Sequence, residues 1–154
     1  RIREVMEELG RIEVGRVAMH PGSVQGFGRL GRDEVPTFLL PSNPVSALVV
    51  FEIMVRPLIR IALGKRQPMR RTVRARTVAP ISSVDGRRGY LRGQLMRDSD
   101  TGEYLVRALG GAQGSSTHLL ASLAEANCLV VVDPDVTSIR AGDEVEVMFL
   151  AQRG

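Results

Sequence analysis

The 154-residue chain is 44% hydrophobic and 25% charged, a balance that builds a packed core and excludes a disordered chain. Its net charge is +4 and it has a single cysteine, which excludes an internal disulfide framework. The apolar run at 45–55 is too short to cross a bilayer and contains Glu52, and no secretory pattern opens the chain, so a cytoplasmic location is expected.

Residue 1 falls inside an amphipathic pattern already under way, so the chain reads as the C-terminal part of something longer. Ile2, Val5, Met6 and Leu9 follow helical spacing, and Gly10 supplies a stop. Residues 11–19 alternate loosely and predict a strand. His20-Pro21-Gly22-Ser23 reads as a turn, residues 25–30 as a second strand, and Gly31-Arg32-Asp33 as a hairpin signal. A buried strand follows at 35–40. Pro41-Ser42-Asn43-Pro44 then opens a long helix, with Ser42 or Asn43 as cap and Pro44 in the first turn. Val45, Leu48, Val49, Val55, Leu58, Ile59 and Ala62 form its apolar face; Pro57 should kink or split it, and Gly64 ends it.

Past a basic stretch at 65–72 the period changes to that of strands. Residues 73–79, 90–97, 104–109, 128–132 and 144–150 predict short strands separated by Gly- and Asp-rich turns, with one helical insertion at 117–126. Several short strands in about 80 residues predict a small barrel or sandwich.

Two loops carry the functional interest. If the first three strands run up, down and up, His20-Pro21-Gly22-Ser23 and Pro41-Ser42-Asn43-Pro44 share one sheet edge, where ligands bind in open α/β sheets. Free N–H groups at the helix start would attract an anion, and Gly26 and Gly28 would allow close backbone approach. The same residue types also serve ordinary strand-to-helix turns. Gly110-Gly111-Ala112-Gln113-Gly114-Ser115-Ser116 is a second candidate anion nest, or a turn before a capped helix. His20, His118 and Cys128 have no metal-ligand spacing. The arginines from Arg56 to Arg76 include no acid among residues 53–77; without interleaved aromatics they read as a solvated linker rather than a nucleic-acid surface.

Three stretches in order carry a family resemblance: Val17-Ala18-Met19-His20-Pro21-Gly22, Gly26-Phe27-Gly28, and Leu39-Leu40-Pro41-Ser42-Asn43-Pro44-Val45-Ser46-Ala47. With Gly86-Arg87-Arg88-Gly89-Tyr90-Leu91-Arg92-Gly93, Gln113-Gly114-Ser115 and Ala126-Asn127-Cys128, the chain resembles the MoeA family of molybdopterin molybdenumtransferases, which includes the E domain of gephyrin. The resemblance implies an α/β plus all-β chain. Residues 1–64 would be the end of a molybdopterin-binding α/β/α domain, 65–72 a basic linker, and 73–154 a β-barrel domain.

The resemblance also implies an activity: insertion of molybdate into adenylylated molybdopterin with release of AMP, assisted by Mg2+ whose ligands would lie upstream. It implies a homodimer when full-length and a molybdopterin adenylyltransferase as a further partner, with no membrane role. Residue by residue, Pro41, Asn43, Pro44 and Ser46 match the loop that shapes the molybdopterin site and its catalytic machinery. His20, Ser23, Ser42, Arg92 and Ser115 match substrate-binding positions. The family usually carries Lys where this chain has His20 and Ser23, and Gly where it has Ser42. His20 replaces a cation only when protonated. The alternative reading is a non-catalytic scaffold of the same fold that binds molybdopterin or a protein partner.

Overall fold

The computed structural model describes residues 2–109 and 125–150. The helical insertion expected at 117–126 and the Gly-rich stretch with Ser115 lie outside the described residues, apart from Glu125 and Ala126. The chain opens with α1 (Ile2–Leu9) and an antiparallel meander of β1 (Gly10–Arg16), β3 (Val24–Leu30) and β4 (Val35–Leu39), with the two-residue β2 (Met19–His20) between β1 and β3. Register places Val14 and Leu39 on either side of Gly26, so β1 and β4 do finish on one edge. The sheet is antiparallel throughout, however, so the ligand rule for parallel α/β sheets does not apply to it. Gly28 does admit a close approach, but the approaching group is the Arg11 backbone of β1 rather than a ligand.

The strand expected at 11–19 breaks after Arg16. Met19 and His20 leave the meander and pair in parallel with Arg88 and Gly89. This short β2 therefore joins the first part of the chain to the second.

The long helix is three segments in series: α2 (Pro44–Val50), a π-helical turn (Phe51–Val55) and α3 (Arg56–Ala62). Pro57 explains the middle one. It has no N–H, and its ring crowds the carbonyl four residues back. The wider turn absorbs that crowding: the Arg56 N–H reaches the Phe51 carbonyl, five residues back. Gly64 closes α3 at φ +72°, with Lys65 N–H on Arg60 O and Gly64 N–H on Ile61 O, both at 2.9 Å. That double bond pattern is a Schellman cap.

The second part is a closed five-stranded barrel. Its strands are β5 (Thr72–Thr77), β7 (Arg88–Arg97), β8 (Tyr104–Ala108), β9 (Cys128–Val132) and β11 (Glu144–Phe149), in the order β7-β8-β5-β11-β9 and back to β7. β6 (Ile81–Ser82) and β10 (Ser138–Ile139) pair with each other as a small ribbon that the sequence reading did not anticipate. Closure turns on the length of β7, whose first half pairs with β9 and second half with β8.

Alternation along β9 explains its unbroken Leu-Val-Val-Val. Cys128, Val130 and Val132 fill the barrel with Ala75, Val106, Val145 and Val147. Leu129 and Val131 point the other way, into a second cluster with Met19, Val49, Val50 and Met148. A strand covered on both faces must be apolar at every position. Each fully buried valine contributes about 1.5–3 kcal/mol. The second cluster holds α2 and β2 against the barrel wall.

Candidate functional site

The start of α2 is built by its cap. Asn43 is extended at φ −70° and ψ 125°, and its Oδ1 accepts from the N–H groups of Val45 at 3.0 Å and Ser46 at 3.1 Å. The Ala47 N–H donates to the Asn43 carbonyl, and Pro44 has no N–H. These bonds overturn the expectation of free N–H groups awaiting an anion, because the cap already occupies them. Ser46 sits in the first turn, half-buried, while Ser42, Asn43 and Pro44 are exposed and Pro41 is half-buried.

The His20–Ser23 loop does meet α2. Gly22 adopts φ +93° and is buried; a Cβ there would lie 2.6 Å from Val50 Cγ2 and 3.5 Å from the Ser46 carbonyl oxygen. Three ties hold the loop in place. The Val17 N–H donates to Ser23 O at 2.7 Å, Gln25 Nε2 donates to Gly22 O at 3.1 Å, and the Arg88 N–H donates to Ala18 O at 2.9 Å. Gln25 and the Gly22–Val50 contact were not singled out from sequence. A glutamine reaching back three residues onto a glycine carbonyl leaves no periodic signal.

β7 supplies the third side. Tyr90 and Arg92 share the face that points away from the barrel interior, since their partners across the register are Val131 and Leu129 of the second cluster. Tyr90 packs against that cluster. Arg92 is buried, and burial pushes its guanidinium below the ordinary value. Arginine stays cationic well above neutral pH, so this is a buried positive charge. Burial likewise pushes the Tyr90 phenol up.

The 20–23 loop thus meets the Ser46 carbonyl in the first turn of α2 through Gly22, while Val49 and Val50 of the second turn share one apolar cluster with Met19 and Leu129, against which Tyr90 packs. Pro44 also lines something different, an open apolar groove of about 520 Å³ formed with Leu40, Ala47, Leu48 and Phe51. Ser115 lies outside the described residues. Among the described residues, no group of three or more His, Cys, Asp or Glu side chains could hold a metal ion, and no helix is long and apolar enough to cross a membrane.

Residues 74–150 match the family model of the MoeA C-terminal region (domain IV). The chain is 74% identical over 153 residues to molybdopterin molybdenumtransferase 1 of Mycobacterium tuberculosis, covering 99% of this chain and 36% of the relative. It is 31% identical over 148 residues to molybdopterin molybdenumtransferase of Haemophilus influenzae, covering 94% of this chain and 35% of the relative. The molybdopterin biosynthesis MoeA protein of Pyrococcus horikosii superposes with a TM-score of 0.75 at 28% identity, covering 97% of this chain and 34% of that one. The chain spans about a third of the length of these relatives.

Proposed function

The chain belongs to the MoeA family, and we propose that it supplies the C-terminal share of a molybdopterin molybdenumtransferase. In this reading residues 1–64 end the molybdopterin-binding domain, 65–72 link, and 73–154 form the barrel domain. The whole protein works as a cytoplasmic homodimer that receives adenylylated molybdopterin, with an adenylyltransferase as the supplying partner.

The reaction assigned to it has two parts. Water attacks the phosphoanhydride of adenylylated molybdopterin, the P–O bond to the adenylate breaks, and AMP leaves. At the other end of the pterin the two dithiolene sulfurs then bond molybdenum, and their two protons leave with one molybdate oxygen as water. Both parts handle dianions, so the residues needed are cations and hydroxyls held in place. Ser46 and Ser23 offer hydroxyls, Arg92 a buried cation, and His20 a further donor. Pro41, Asn43 and Pro44 fix the loop from which Ser46 projects. Ser42 and Ser115 complete the set assigned from the resemblance. Mg2+ finds no fitting ligand group among the described residues, so no step is assigned to it on this chain.

The observation that carries the proposal is the meeting of three family motifs around the Met19–Val49–Val50 cluster: the His20–Ser23 loop, which touches α2 through Gly22, helix α2 itself, and the Tyr90–Arg92 face of β7. A second reading, a non-catalytic scaffold, draws its support from His20, Ser23 and Ser42, which stand where the resemblance expects two lysines and a glycine. Molybdate-dependent AMP release from adenylylated molybdopterin separates them when the complete protein and this chain are assayed side by side. Release by the complete protein alone supports a transferase to which this chain contributes part of the site. Release by neither favours the scaffold.

A further inference from the structure

We infer that a binding site for a small phosphate-class oxyanion lies between α3 and the segment leading into β5, with Arg56 at its centre and Arg60 and Arg70 as its flanks. Glu52, Arg56 and Arg60 are spaced four apart along the π turn and α3, so they share one side of the helix. The chain after Gly64 folds back onto that side through two ties. Arg70 grips Glu52 with a fork, Nε to Oε2 at 2.7 Å and Nη2 to Oε1 at 3.1 Å, and Arg60 Nε donates to the Gln67 carbonyl at 3.0 Å. Arg56 stands between these ties.

Arg56 Nη1 is closed off from solvent and meets no acceptor. Buried donors are nearly always paired, and an orphan in a folded structure points to a missing partner. Charge says what kind. Three guanidiniums share this place with one carboxylate, and Glu52 is committed to Arg70. The sequence offers no other acid from residue 53 to residue 84. Desolvation first, and then the neighbouring charge of Arg70, push the Arg56 guanidinium below its ordinary value. A water would accept a hydrogen bond from Nη1 but leave the charge unbalanced. An oxyanion does both, and planar guanidiniums match its geometry. The π turn, a feature often found at functional sites, sets the helix face that carries the group. This site lies on a different part of the helix from the Ser46 turn and goes beyond the proposed transferase role without resting on it.

The test uses the complete protein. Inorganic phosphate and, separately, AMP are titrated calorimetrically at ionic strength held constant with chloride. A saturable site half-filled at about 1 mM or tighter is expected, weakened at least tenfold in Arg56→Gln and to a lesser degree in Arg56→Lys, which keeps the charge but loses the planar donor. Saturation by AMP but not by inorganic phosphate supports the site, and identifies a phosphomonoester as its ligand, when Arg56→Gln weakens it and Ser46→Ala does not; AMP binding that only Ser46→Ala weakens belongs to the transferase site and overturns the proposal. Saturation by neither overturns it, as does an affinity that Arg56→Gln leaves unchanged. Should the variants fail to fold, selenate soaked into wild-type crystals decides: an anomalous peak within hydrogen-bond distance of Arg56 supports the site, and a lone water beside Nη1 overturns it.

Discussion

Replacing Gly22 with alanine perturbs the contact on which the site geometry depends. Two separate costs follow. At φ +93° an L-residue pays about 1–2 kcal/mol relative to glycine. The new methyl would sit 2.6 Å from Val50 Cγ2, and Val50 is only 2% exposed within a packed cluster. Overpacking of that kind costs about 1–3 kcal/mol. The expected loss is therefore about 2–5 kcal/mol, read as a drop in the urea midpoint at unchanged slope. A double-mutant cycle divides the two terms. Val50→Ala makes room for the methyl, so Gly22→Ala should cost about 1–2 kcal/mol less in that background, while the backbone term remains. If Gly22→Ala stayed within about 0.5 kcal/mol of wild type, the loop would not be pinned to α2 as described. A purely additive cycle would likewise contradict the Val50 contact.

Other outcomes follow from the same structure. Glu52→Gln strands the Arg70 guanidinium, 14% exposed, beside Arg56 and should cost about 3 kcal/mol in chemical unfolding; Glu52→Met with Arg70→Met should recover most of it. Asn43→Ala removes the acceptor for two N–H groups and should cost about 1 kcal/mol, measured the same way. Burial pushes the Cys128 thiol from 9.0 up to about 12. Well below pH 9, at pH 8 and under, the thiol is almost wholly protonated whether folded or unfolded, so its contribution to stability is complete there. Above pH 9 the unfolded chain loses the proton while the folded chain keeps it, so stability should decline toward pH 12. The stability difference between wild type and Cys128→Ala should be level from pH 6 to about pH 8 and shrink beyond it, and a level difference up to pH 11 would refute the burial.

The barrel was legible because its strands are short runs of β-branched residues cut by glycine turns. β9 has the predicted bounds of 128–132, and the other four barrel strands differ from their predicted bounds by no more than two residues at either end. The cap at Asn43, the break at Pro57 and the stop at Gly64 were legible from local chemistry. The form of the break was not, since a π turn depends on how the helix accommodates Pro57 rather than on which residue breaks it. β2 was missed because its pairing partners, Arg88 and Gly89, lie far along the chain and two residues make no pattern. The expected anion-binding N–H groups failed for a local reason. The residue type that signals a helix start, asparagine, is also the group that consumes those donors. Glu52 did carry a signal, as the single acid in the apolar run at 45–55, although its partner Arg70 could be identified only in three dimensions.

The most direct measurement is molybdate-dependent AMP release by the complete protein, wild type against Ser46→Ala, with both shown to melt at the same temperature. Ser46 leaves its backbone N–H to the Asn43 cap, so the substitution removes a hydroxyl without dismantling the turn. A loss of tenfold or more, about 1.4 kcal/mol of barrier, is predicted. Equal rates in the two proteins would remove Ser46 from the site and contradict the convergence of loop, helix start and barrel strand as the place where the anion is held.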